Sequence, residues 1–219
     1  MGSEPILVLM KQVAALLFLT LALALPARAQ DSFPDFSPPV DAPQKGDRKD
    51  AESTTAEERN AARLDLMFGR LANSDDERRA NRIARHIMRR MMQSGSDTID
   101  FLMARSAEAI QENDYPKALD LLDGVVRLKP EFAEGWNRRA TVHFLNGDYG
   151  QSVADIEQVL RLEPRHFEAL AGLGVILEEL GDKKGALEAY RKAVEIDPWL
   201  RNGRERIAPL ELEVEGRGI

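Results

Sequence analysis

The sequence predicts an all-α protein built as a short solenoid of helical hairpins, and three observations carry that reading. Pro130, Pro164 and Pro198 recur at a constant spacing of 34 residues, and the same offset joins Asn113, Gly147 and Gly181, then Asp114, Asp148 and Asp182. Between these marks, apolar residues such as Leu119, Leu122, Val125 and Val126 return at helical spacing. The composition, 43% hydrophobic, 31% charged and 6% aromatic, belongs to a soluble globular chain that favours helix over sheet. A fixed period of this length marks stacked hairpins, none of which buries its apolar face alone.

From the N-terminus, Lys11 is followed by an apolar run from Val13 to Leu25 and then by Ala27-Arg28-Ala29. This pattern predicts a secretory signal peptide over 1–29, cleaved between Ala29 and Gln30, where small side chains suit a signal peptidase. The alternative is an uncleaved anchor, but the run is short for a span of ~20 residues. The expectation is therefore a periplasmic protein with no stable membrane anchor after cleavage. The true start stays open between Met1 and Met10. Residues 30–54, rich in Pro, Asp, Lys and Ser without periodicity, are expected to be a disordered linker.

Residues 55–95 read as a helical hairpin covering the N-terminal end of the solenoid. Thr55-x-x-Glu58 and Ser74-x-x-Glu77 are capping-box patterns, Gly95 is a stop, and Ile83, Ala84, Ile87, Met88 and Met91 form an apolar face. Arg78, Arg82, Arg85 and Arg89 follow i, i+4, i+7, i+11 and make a basic stripe, while residues 97–200 hold 20 acidic and 12 basic residues. Three readings of the stripe stand: a solvated face, docking on the acidic repeats, or contact with an anionic envelope surface.

Residues 96–200 divide into repeats at 99–132, 133–166 and 167–200. Asn or Gly suits the left-handed residue that ends a first helix. The following Asp caps the second helix by accepting an orphan backbone N–H. Ala118, Ser152 and Ala186 let paired helices approach, and proline stops the second helix. Residues 201–219 supply a capping helix, reading from Leu200 to Val214 through Ile207 and Leu210, which Pro209 is expected to kink or split.

The repeat resembles the tetratricopeptide-repeat (TPR) family. The family's large, small, small, aromatic, small, Pro pattern is met by Leu102, Ser106, Ala118, Leu122, Val125 and Pro130. It recurs as Trp136, Ala140, Ser152, Ile156, Val159 and Pro164, then Leu170, Gly174, Ala186, Tyr190, Ala193 and Pro198. The resemblance implies antiparallel helix pairs stacked around a concave groove that takes a protein or peptide ligand. By the family template the groove is lined by Met103, Ala107, Asn137, Arg138, Thr141 and Val175, with Asn137 alternatively only bracing its neighbours. Family members that grip a C-terminal carboxylate carry Lys and Asn in the first repeat and Lys and Arg in the third. Met103, Ala107, Ala171 and Gly172 stand at those places, which separates this chain from that class.

Chemistry is not expected. The chain has no cysteine, which removes disulfides, thiol catalysis and thiolate metal sites. His86, His143 and His166 lack ligand spacing. The net charge of −7 disfavours nucleic acid as a partner. No cofactor, metal or catalytic residue is expected, and the oligomeric state is open. The resemblance to exported bacterial TPR proteins implies a scaffold for envelope integrity or assembly, the alternative being an accessory subunit or chaperone of an envelope enzyme.

Overall fold

The computed structural model describes residues 46–216, with side chains from residue 58 onward. The expected signal peptide, its cleavage site at Ala29 and Gln30, and most of the linker lie outside the described residues. Among the described residues, two helices precede the repeats: α1 (Gly46–Ala72) and α2 (Glu77–Met91). The repeats are three hairpins: α3 (Asp97–Gln111) with α4 (Tyr115–Leu128), α5 (Ala133–Asn146) with α6 (Tyr149–Leu162), and α7 (Phe167–Glu179) with α8 (Lys183–Ile196). A last helix, α9 (Arg201–Val214), follows.

The periodic marks act as their chemistry requires. Asn113, Gly147 and Gly181 adopt φ of 60°, 85° and 80°, the left-handed region in which Asn and Gly are least strained. The Asp114 and Asp182 carboxylates accept from Lys117 N and Gly185 N at 3.2 and 2.9 Å, capping α4 and α8. Asp148 does not cap α6; its carboxylate accepts from Asn146 Nδ2 at 2.6 Å instead. Lys129, Glu163 and Asp197, each before a repeat proline, leave the helical region with ψ of 72°, 93° and 92°. Proline forces that conformation on the residue ahead of it.

Packing follows the small and large columns. Ala118, Ser152 and Ala186 are each 0% exposed, and the Ser152 hydroxyl donates to Ala140 O at 2.7 Å, so its burial leaves no orphan polar group. Between repeats, the Gly135 Cα faces Val125 so closely that a Cβ would lie 2.6 Å from its Cγ1. Arg139 holds the first and second repeats together. Its guanidinium donates twice to Asp155 of α6, at 2.7 and 2.8 Å, and once to Asp123 of α4 at 2.7 Å, while lying 4.8 Å over the Trp136 ring. At the far end Leu210 is buried among Tyr190 and Leu187, and α9 continues through Pro209 without a break. The proline sits on the exposed side, and pairs from Lys183 to Glu213 and from Arg191 to Glu211 and Glu215 tie α9 to α8.

The N-terminal hairpin departs from expectation in its boundaries and in its seat. Helix α1 starts at Gly46, ahead of the boundary expected at 55, so Thr55 lies inside it rather than at its start. Helix α2 is capped by Asp76, which accepts from Arg79 N at 2.6 Å, rather than by Ser74. The hairpin core of Phe68, Leu71, Ala80, Ile87 and Met88 closes on Phe167, Trp199 and Leu200, at the turns that bound the third repeat. Trp199 Nε1 donates to Ser74 O at 2.9 Å, and Arg165 donates to Asp65 at 2.7 Å while lying 4.3 Å over the Phe68 ring. At its other end the segment after α2 is held to the first repeat, where Lys129 Nζ donates to Ser94 O at 2.6 Å. The hairpin thus runs back along the repeats instead of stacking on α3. Accordingly Phe101 of α3 is 63% exposed, whereas Gly135 and Ala169, its equivalents one and two repeats on, are buried against the preceding repeat.

Trp199→Ala is expected to release the hairpin while leaving α3–α9 folded. Trypsin should then cut the arginine-rich α2 much faster than in the parent protein, because proteolysis follows the population of the opened form. An unchanged cutting rate in α2 would place the anchor elsewhere.

Candidate functional site

The concave face is formed by the first helices of the repeats, α3, α5 and α7. Helical spacing turns one residue in every three or four of each helix toward it. Met103 and Ala107 of α3, Arg138 and Thr141 of α5, and Val175 of α7, the positions that the repeat template assigns to this face, are each half-buried. Between α5 and α7 a shallow crevice is lined by Asn137, Thr141, Phe144, Gly172 and Val175. Its walls are largely apolar, with Asn137 and Thr141 as polar side chains among them. The Thr141 hydroxyl donates to Asn137 O at 3.0 Å, which leaves its lone pairs as acceptors. Arg138 makes no salt bridge among the described residues, and its charge acts on the Glu134 and Glu168 carboxylates.

Asn137 behaves as the bracing reading has it. It is 7% exposed and donates from Nδ2 to Glu134 Oε2 at 3.1 Å. Glu134 is itself buried, and His166 Nε2 lies 3.2 Å from its other oxygen. The imidazole also caps α7, since His166 Nδ1 accepts from Ala169 N at 3.2 Å. These two contacts fix the tautomer, with the proton on Nε2 pointing at Glu134. Burial alone would raise the Glu134 carboxyl; the His166 hydrogen bond and the positive charges beside it prevail and hold it below its usual value. Sequence reasoning did not find this chain of polar groups. His166 does occupy the residue before a first helix, where capping groups sit, and that is the signal that was present.

Glu168, one residue into α7, has no such compensation. Burial, followed by the nearby Glu134 charge, pushes its carboxyl up to about 7, with His166 and Arg138 opposing and Asp197 adding to the rise. The folded protein therefore holds this proton more tightly than the unfolded chain, and stability falls as pH climbs from the ordinary carboxylate value through about 7. Glu134 works in the other direction, contributing stability above its unfolded pKa that is lost only in stronger acid. Melting temperature is expected to be higher near pH 5.5 than near pH 8, by the equivalent of about 1–3 kcal/mol. Glu168→Gln should flatten that slope. A slope that survives the substitution would assign it to another group.

The basic stripe is exposed along its whole length. Arg78, Arg82, Arg85 and Arg89 lie on the outer face of α2, and none forms an ion pair among the described residues. The reading in which they dock on the acidic repeats is thereby removed. Arg139, not singled out in the sequence, is the arginine that binds repeat to repeat. It stands 16 residues from both Asp123 and Asp155, a symmetry visible in the sequence without being diagnostic. No group of three or more His, Asp or Glu able to hold a metal ion occurs among the described residues, and no described helix is long and apolar enough to cross a membrane.

Comparison with known proteins agrees with this architecture. The family described as tetratricopeptide repeat matches residues 104–155 and 146–198. A TPR repeat-containing protein of Rhizobium etli is 41% identical over 170 residues, 75% of this chain and 83% of its own. Among solved structures, the Sgt2 TPR domain of Aspergillus fumigatus is similar with a TM-score of 0.52 at 23% identity, covering 55% of this chain and 81% of that one. The first TPR of Spaghetti (RPAP3), bound to the HSP90 peptide SRMEEVD, gives 0.52 at 15% identity, over 55% and 95%. The relatives also correct one expectation. The SGT1 homolog of Homo sapiens (26% identical, 55% of this chain and 33% of its own) and anaphase-promoting complex subunit 3 of Schizosaccharomyces pombe (25%, 40% and 13%) are cytoplasmic or nuclear proteins, against the periplasmic location read from the apolar leader.

Proposed function

This chain belongs to the tetratricopeptide-repeat family, whose members are non-catalytic scaffolds for proteins and peptides, and on that premise we propose that it is an accessory, chaperone-type adaptor holding one segment of one partner protein. The observation that carries the proposal is the crevice between α5 and α7, where Thr141, Phe144 and Val175 line a largely apolar trough, one residue along α5 from Arg138. An extended or helical segment lying across α3, α5 and α7 would bury its apolar side chains against Val175 and Met103. Its backbone or a carboxylate would meet Thr141 and Arg138. Because Asn137 is spent on Glu134, it supports the floor rather than contacting the ligand.

The ligand differs from the peptide seen in the Spaghetti domain. A free C-terminal carboxylate needs cationic and amide donors, and Met103, Ala107, Ala171 and Gly172 supply none. The peptide SRMEEVD is therefore expected to bind no more tightly than roughly 1 mM. Thr141→Arg with Val175→Arg should fill the crevice, and the variant's melting temperature checks that these half-buried sites stay folded. In affinity purification from cells that make the protein, the parent chain is expected to retain one partner in fixed ratio and the double variant to lose it. Several unrelated partners in varying amounts would favour a general scaffold, and full retention by the variant would remove the groove from consideration.

A further inference from the structure

Helix α2 carries six arginines and a single acidic residue, Glu77, in fifteen positions. Arg90 donates to Asn60 of α1 and Arg89 reaches the His86 ring, but none of the six forms a salt bridge among the described residues. Arg78 and Arg82, and likewise Arg85 and Arg89, are like charges at i, i+4, which destabilises a helix. Arg78 and Arg79 also sit in the first turn, against the positive end of the helix dipole. Several arginines elsewhere in the chain are paired. Arg105, Arg139, Arg165, Arg191 and Arg206 each reach a carboxylate. The stripe remains unpaired beside repeats that have twenty acidic groups.

The opposite face of α2 explains how the stripe is presented. Ala80, Ile87 and Met88 are buried against α1 and Phe167, so the helix cannot roll and the four guanidinium groups stay aligned. They span about 17 Å of helix axis. Exposed acidic residues, Asp75, Asp76 and Glu77, stand at one end of the strip. A single line of positive charge that ends on carboxylates suits a slender acidic partner better than a broad anionic surface. We propose that the outer face of α2 is a second docking surface, separate from the concave groove, for an acidic segment of a partner protein. A helix with Glu or Asp at i, i+4, i+7 and i+11 pairs with Arg78, Arg82, Arg85 and Arg89 rung by rung, and each planar guanidinium takes a carboxylate with two parallel hydrogen bonds.

The test uses the full chain and a labelled helical peptide of about 15 residues with Glu at those four spacings. The controls are a peptide of the same composition with the Glu residues scrambled, a short duplex DNA, and vesicles of mixed neutral and anionic phospholipid. The patterned peptide is expected to bind the parent protein. Affinity should drop at least tenfold when salt rises from about 50 to about 300 mM, and at least tenfold in Arg82→Gln, Arg85→Gln, Arg89→Gln at low salt. Thr141→Arg with Val175→Arg should leave it unchanged, which separates failure of this surface from failure of the groove. The triple Gln variant removes repulsion, so its helicity and melting temperature should stay level or rise; a fall would make the stripe structural and overturn the proposal. Equal binding of the scrambled peptide, no binding of the patterned one, or preference for duplex DNA or vesicles overturns it as well.

Discussion

Gly174→Leu is expected to unfold the third repeat at temperatures where the parent protein is intact. A Cβ at this position would lie 2.7 Å from two ring atoms of Tyr190, inside any real contact distance. The ring has nowhere to go. Tyr190 is 1% exposed, and its hydroxyl donates to Glu178 Oε1 at 2.8 Å, a bond that would be lost if the ring swung aside. Overpacking of this kind costs about 3 kcal/mol, which for a chain of this size lowers the melting temperature by roughly 6–12 °C. Gly174→Ala should show a smaller loss in the same direction. Adding Tyr190→Leu to Gly174→Leu returns volume to the site and should recover part of the stability. If the second substitution only deepens the loss, the contact with Tyr190 is not the cause.

Arg139→Met should have an effect of similar size by a different route. The Asp155 side chain is 5% exposed and receives two hydrogen bonds from this guanidinium. Met fills much of the same space but leaves the carboxylate buried without its counter-charge, which costs about 3–5 kcal/mol. The loss is expected to loosen the seam between the first two repeats, because Arg139 also holds Asp123 of the first. The double variant Arg139→Met, Asp155→Leu removes both charges and should return close to parent stability. A thermodynamic cycle over the two sites then isolates their coupling. Additive losses would mean that the bridge contributes little and that Asp155 is held by other groups.

What the residues dictate locally was legible in advance. Helix ends in the repeats come from a left-handed Asn or Gly, a capping Asp and a following proline, each acting within four residues of itself, so Asn113, Gly147 and Gly181 could be placed from spacing alone. The small and large columns were legible for the same reason, since a hairpin brings position 174 to position 190 whatever surrounds it. The failures begin where the partner is remote in sequence. Asp148 lost its cap to the neighbouring Asn146 side chain, a competition that no pattern ranks. Asn137 reads as a groove residue by template, yet Glu134 and His166, at the two ends of its own repeat, draw it into the wall. The widest departure is the N-terminal hairpin. Its apolar stripe of Ala80, Ile87 and Met88 announces that it must pack, and the stripe is equally content against any apolar surface, because burial has no direction. Only the tertiary structure selects Phe167 and Trp199 over the open end at Phe101, through the indole hydrogen bond to Ser74 and the Arg165 contacts to Asp65 and Phe68. The sequence by itself determined the repeats and the direction of their groove. The long-range contacts decided where the basic helix lies and left its arginines facing outward.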